Sequence, residues 1–166
     1  MTTHAVRRAD AGDVAEIRAV AAAAWRDTYD GLLRAETIEA FIERAYSLER
    51  VERRIEADTF LVAVEAGRIV AFADARDADD RVDLFAIYAL PDSRRRGAGS
   101  ALLVELRARF PGIPIVADVL LGNSKGEGFY ERLGFEPRGT VEAELFGEPV
   151  VERRWRLEPP GAAEAR

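Results

Sequence analysis

The stretch from Arg81 to Leu106 constrains this chain more than any other. Leu84, Ala86, Tyr88 and Leu90 alternate with Phe85, Ile87 and Ala89, so nearly every position is apolar. A short apolar run of this kind predicts a strand buried on both faces. Pro91 ends it, because proline cannot donate to the ladder and holds its predecessor extended. Arg94, Arg95, Arg96, Gly97, Ala98, Gly99 and Ser100 follow, and then Leu102, Leu103, Leu106 and Phe110 at helical spacing. A strand, a basic glycine loop and a helix start predict an anion site. First-turn amides lack partners and the helix dipole adds positive charge. Gly97 and Gly99 let a phosphate approach the backbone, and three arginines offer fork-shaped donors. A pyrophosphate is the natural guest; the alternative is a helix start whose arginines are only solvated.

Two other pyrophosphate loops do not fit. The dinucleotide fingerprint needs a third glycine where this chain has Leu102, and the nucleoside-triphosphate loop needs a Gly-Lys-Ser/Thr run that is absent.

Composition removes several function classes. The 166 residues, 48% apolar, suffice for one domain with a real core. Residues 1–158 read as that domain, and 159–166, with Pro159, Pro160 and Gly161, as a disordered tail. A net charge of −6 argues against a nucleic-acid partner. The chain has no cysteine, which excludes disulfides and thiol catalysis. The single histidine, His4, leaves no His/Cys metal cluster and no ordinary Ser-His-Asp triad, so no metal is expected. Without a long uncharged apolar run or a charged-then-apolar leader, the default expectation is a cytoplasmic protein with no membrane span.

Along the chain, Ala5 to Arg8 reads as a first strand. Asp13 and Glu16 form a candidate capping box for a helix reaching Tyr29, broken by Gly31. Ile38, Phe41, Ile42 and Ala45 make a second helical face, and Ser47 caps a third helix with Leu48, Val51 and Ile55. Thr59–Val64 and Ile69–Ala75 pair around Ala66-Gly67. Asp74, Asp77, Asp79, Asp80 and Asp83 form either a soluble turn or an acidic mouth that draws an amine. Ile115 to Leu121 predicts another buried strand, Phe129 to Phe135 a short helix stopped at Gly134, and Thr140–Phe146 with Val150–Leu157 a hairpin around Gly147-Glu148-Pro149. This order predicts a mixed sheet with helices on both faces.

Two signatures lie in this frame. Pro91, Arg94, Gly97 and Gly99 spell R-x-x-G-x-G with a proline three residues before the arginine. After one further helix and strand comes Asn123-x-x-Gly126-x-x-Phe129-Tyr130-Glu131-Arg132-Leu133-Gly134-Phe135. Together they resemble the acyl-coenzyme-A loop and the N-x-x-A-x-x-F-Y-x-x-x-G-F pattern of the GCN5-related N-acetyltransferase (GNAT) superfamily. The resemblance runs from Val6 to Leu157. Trp25, Tyr29, Gly31, Leu32 and Leu33 also look like the W-x-x-x-Y-x-G-L-L opening of a bacterial branch.

That resemblance implies an α/β (α+β) fold, a splayed mixed sheet of about seven strands with helices on both faces. It implies acetyl-CoA (coenzyme A) as cofactor. Backbone of Ile87, Tyr88 and Ala89 would bond the pantetheine arm, the Arg94–Ser100 loop the pyrophosphate, and Asn123 the pantetheine or adenosine side. Tyr130 would stand beside the thioester sulfur. Family members often dimerise, so a homodimer is open. One departure is Gly126 in place of the family's alanine; with Gly128 it predicts a looser helix start.

Amine acylation needs an amine freed of its proton, from a pKa of about 10.4, and fixed donors for the oxyanion. Asp83 is the candidate base, directly or through water, at a position where many relatives carry glutamate; its alternative is a strand-start aspartate in water. Asp118, on the neighbouring strand, ranks second. Tyr130 is the candidate acid. Trp25 and Tyr29 share a helical face and belong either to the acceptor pocket or to the core. The resulting expectation is an N-acetyltransferase transferring acetyl to a primary amine of a small molecule or peptide by direct attack on the thioester. The rivals are a non-catalytic acyl-CoA-binding module, an acyltransferase toxin acting on aminoacyl-tRNA, and an unrelated α/β domain.

Overall fold

In the computed structural model, which describes residues 3–162, the strands pair in chain order on one side of the sheet and out of order on the other. β1 (Ala5–Arg8), β2 (Thr59–Glu65), β3 (Arg68–Asp77) and β4 (Val82–Ala89) are successive antiparallel neighbours. β5 (Ile115–Leu120) runs parallel to β4. The hairpin of β6 (Glu136–Leu145) and β7 (Glu148–Leu157) inserts its second strand beside β5, giving the order β1-β2-β3-β4-β5-β7-β6.

Strand alternation assigns the two faces. Phe60 and Val62 of β2 pack with Ile17, Val20 and Ala21 of α1 (Val14–Tyr29) and Val51 and Ile55 of α3 (Leu48–Ala57). Leu61 and Ala63, one step over, pack with Leu102, Leu103 and Leu106 of α4 (Ala98–Arg109) and Tyr130 of α5 (Ser124–Arg132). A third cluster joins α1 and α2 (Ala35–Ala45) to β5 and β7 through Trp25, Tyr29, Ile38, Ile42, Leu120 and Val150. Burying both faces explains the near-continuous apolar runs of β2, β3 and β5.

Several local expectations change. Asp13 and Glu16 do not form a box. Asp13 is buried and closes a capping box with Asp10 across a 3-10 turn, accepting from the Asp10 amide at 2.8 Å while Arg7 binds its carboxylate at 2.7 and 2.9 Å. Glu16 instead accepts from the Ile69 amide at 3.0 Å, tying α1 to β3. β4 is not buried throughout: Phe85 is 50% exposed. Asp74 and Ala75 of β3 face Ala86 and Leu84, so Phe85 is the extra residue of a bulge and turns outward under the Arg76 guanidinium. The last hairpin turns at Phe146-Gly147, both at positive φ, which leaves Glu148 and Pro149 in β7. Glu148 Oε1 then reaches the start of α2, accepting from the Arg34 amide at 2.9 Å and the Thr37 hydroxyl at 2.8 Å. This remote cap locks the hairpin to α2. Of the tail expected to be disordered, residues 159–162 form a turn with the Ala162 amide 3.2 Å from the Pro159 carbonyl, and residues 163–166 lie outside the described residues.

Among the described residues no helix is long and apolar enough to cross a membrane.

Candidate active site

β4 and β5 pair only at Val82 with Ile115 and at Asp83 with Val116. Beyond that point each strand keeps a different partner. β4 stays on β3 up to Ala89 opposite Ala71, and β5 stays on β7 up to Leu120 opposite Glu152. The bulge at Phe85 sits just past the last shared pair, where extra twist separates the two strands. A wedge-shaped gap therefore opens from Asp83 toward Ala89, about 20 Å over six strand residues. Among the described residues no strand lies beside the edge of β4 along it, including Ile87, Tyr88 and Ala89.

The basic loop stands at the wide end. Leu90 donates to the Val70 carbonyl at 2.8 Å, and Pro91–Ser93 then make one 3-10 turn. Arg95 at φ 62° and Gly97 at φ 93° curl the chain into α4. Among the described residues no acceptor is bonded to the amides of Arg95 to Ser100. Six successive amides without partners at a helix N-terminus are a ready anion cradle.

The three arginines do not converge on it. Arg94 turns back to α1, where it pairs with Asp27 and donates to Thr28 Oγ1 at 2.9 Å. This holds the Asp27 carboxyl below the usual range. Arg96 pairs with Glu65 at 3.0 Å, at the end of β2. Arg95 is exposed and has no ion pair among the described residues. The pattern of glycines was legible in sequence; the partners of Arg94 and Arg96, remote in the chain, were not.

α5 forms the opposite wall. Asn123 caps it, accepting from the Gly126 amide at 3.0 Å. Its stop at Gly134, φ 89°, brings the Phe135 amide to the Tyr130 carbonyl at 3.0 Å. Phe129 lies on Gly99: a Cβ there would be 2.7 Å from the ring. Gly99 therefore serves helix contact as well as loop access. Tyr130 is buried beside Phe135, ring centroids 4.9 Å apart, and burial pushes its hydroxyl pKa up. It stays protonated at neutral pH and can donate.

A match to the acetyltransferase (GNAT) domain covers residues 56–137, a span that holds β4, the loop, β5 and α5. Residues 56–137 are a GNAT acetyltransferase domain. Among similar proteins, a spermidine N(1)-acetyltransferase of Thermoplasma acidophilum is 25% identical over 156 residues, 89% of this chain and 97% of that protein. The crystal structure of a PaiA N-acetyltransferase from the same organism, in complex with coenzyme A, superposes with a TM-score of 0.79 at 24% identity, covering 91% of this chain and 98% of that one. A GCN5-related N-acetyltransferase from Rhodopseudomonas palustris gives 0.81 at 21% identity, covering 95% and 97%.

Within this GNAT domain the glycine departure has a local cause. A Cβ at Gly126 would stand 2.6 Å from Asn123 Nδ2 and 3.1 Å from Val119 Cγ1. The capping side chain fills that space, and α5 is helical through both Gly126 and Gly128.

The remaining candidates separate. Asp83 lies at the narrow end of the gap with Arg81 Nε 2.7 Å away. Asp118 is held bidentately by Arg154 at 2.8 and 2.9 Å. Trp25 is buried and stacks on Phe41 at 3.5 Å, with Tyr29 at 4.3 Å, so both belong to the α1–α2 core. Burial pushes the Tyr29 hydroxyl pKa up, with Tyr88 and Tyr130 adding to it and Asn123 opposing. The aspartates read as a mouth disperse. Asp74 is buried against Arg54 at 2.8 Å, and Asp77 accepts from the Asp79 amide at 2.9 Å within the turn. Arg154, Glu152 and Asp27 escaped sequence reading. The alternation Val150, Glu152, Arg154 along β7 was the available signal for the first two.

Proposed function

We propose that this chain is an acetyl-CoA-dependent N-acetyltransferase acting on a primary amine that carries positive charge. The observation that carries the reading is the gap between β4 and β5, with the partnerless amides of Arg95 to Ser100 at its wide end. The residues present fit acetyl-CoA. Those amides and Arg95 would hold the diphosphate, the open edge at Ile87, Tyr88 and Ala89 the pantetheine arm, and Asn123 and Tyr130 the opposite side. The spermidine acetyltransferase relative supports an amine acceptor.

When bound, acetyl-CoA supplies an acyl group activated as a thioester. Asp83 at the narrow end accepts the proton that the acceptor ammonium must lose, directly or through water. Arg81 holds that carboxylate in place. Strand amides freed by the bulge stabilise negative charge on the acyl oxygen. The Tyr130 hydroxyl, protonated at neutral pH, gives its proton to the departing thiolate. The amine nitrogen–carbon bond forms as the carbon–sulfur bond breaks, the nitrogen's second proton restores the tyrosine hydroxyl, and free thiol appears with each turnover.

Thiol release from acetyl-CoA, measured against amines, amino acids, polyamines and peptides, tests this. Amine-dependent release together with a coenzyme A-induced rise in Tm is expected. Cofactor binding without turnover of any amine would leave the chain a binding module.

A further inference from the structure

The α1–α2 face of the sheet carries three carboxylates beside the gap. Val82 and Leu84 pack on the α4–α5 side, so Asp83 between them points to the α1–α2 side. Asp118 and Glu152 share that side, because Leu120, opposite Glu152, and Val150, two residues before it, pack against α1 and α2. Two of the three have their own cations. Asp83 has Arg81 at 2.7 Å, and Asp118 has both arms of the Arg154 guanidinium. Glu152 is half-buried, and among the described residues it has neither a hydrogen bond nor an ion pair. The groups facing it are Asp118 and Arg154 on the sheet and Tyr29 from α1. Burial, then Asp118, pushes its carboxyl pKa up, and Arg154 opposes them. A half-buried carboxylate without a partner works against folding, which a bound cation would relieve.

We propose that Glu152 is the specificity carboxylate of the acceptor site, receiving a second positive charge on an amine whose reacting nitrogen lies nearer Asp83. This rests on the acetyltransferase reading above. Asp83 stands opposite Val116 at the closed end, and Glu152 stands opposite Leu120 at the open end. Four residues of strand, about 13 Å, and two strand spacings, about 10 Å, separate them, which sets their backbones about 16 Å apart. Two side chains reaching inward leave room for an extended diamine. Roles divide accordingly: Glu152 acts on acceptor binding, Asp83 on proton removal.

The test compares butane-1,4-diamine, hexane-1,6-diamine and octane-1,8-diamine, each beside the monoamine of the same length, at fixed acetyl-CoA. Wild type is expected to prefer at least one diamine by about tenfold in kcat/KM, with a clear optimum in length. Glu152→Gln is expected to bring that ratio near one, through the acceptor KM. Glu152→Asp, with a shorter side chain, should keep part of the preference and move it to a longer diamine. The KM for acetyl-CoA and the coenzyme A-induced rise in Tm should stay as in wild type, which also reports that the variants fold. Turnover with no diamine preference, a preference that survives Glu152→Gln, or an acetyl-CoA KM rising in step overturns the Glu152 assignment alone. No turnover of any amine overturns the acetyltransferase reading and this assignment with it.

Discussion

Asp27 on α1 binds the guanidinium of Arg94 through the carboxylate oxygen that also lies 3.4 Å from the Lys125 ammonium. One side chain thus joins three elements: α1, the loop after β4, and the first turn of α5. The last two are the walls of the proposed cofactor cleft. Asp27→Asn is expected to loosen both walls and raise the KM for acetyl-CoA about three- to tenfold, with a smaller change in kcat. Initial-rate kinetics at varied acetyl-CoA check this; an unchanged KM would show that the amides hold their places without the pair. The pair is partly exposed, so little change in global stability is expected.

Gly99 lets α4 and α5 meet. Gly99→Ala sets a Cβ 2.7 Å from Phe129 Cε2, so the ring or the helix must move. A cost of about 1–3 kcal/mol is expected, readable in a denaturant melt. Phe129→Leu in the same chain should recover part of it. If Gly99→Ala alone is neutral, the glycine is there for loop access and not for helix contact.

Tyr130 and Asp83 should separate binding from chemistry. Tyr130→Phe keeps the buried ring contacts with Phe129 and Phe135 and removes only the hydroxyl. A fall in kcat of about 10²-fold with coenzyme A affinity nearly intact is expected, measured by steady-state kinetics beside calorimetric titration. Equal loss of both would make the tyrosine a packing residue. Asp83→Asn should likewise act on kcat and leave the KM for acetyl-CoA nearly unchanged.

Asp74 gives stability a pH dependence of known sign. Its carboxyl is buried, and that burial, with Asp58 nearby and Arg54 opposing, pushes its pKa up to about 7. In the unfolded chain it titrates at about 3.9. Between these values the native state holds the extra proton, so this group's contribution is complete at low pH and is lost as pH rises toward 7. Asp74→Asn removes that dependence. The Tm of the variant minus that of wild type should therefore climb from pH 4 to pH 8. A flat or falling difference would show that Arg54, 2.8 Å away, keeps the carboxylate ionised.

The sequence by itself determined the elements and the nature of the site. The β4 run, Pro91, Gly97 and the Leu102–Leu106 spacing act over a few residues, and local sterics and hydrogen bonding decide them. Asn123 and Gly134 mark the ends of α5 for the same reason. Tertiary structure decided what those elements do to one another. The bulge that turns Phe85 outward depends on how β3 lies against β4, and the gap depends on β5 leaving β4 for β7. The capture of Arg94 by Asp27 and the isolation of Glu152 are charge pairings between segments far apart in the chain. Alternation names the face a strand residue takes, but only packing names its neighbour.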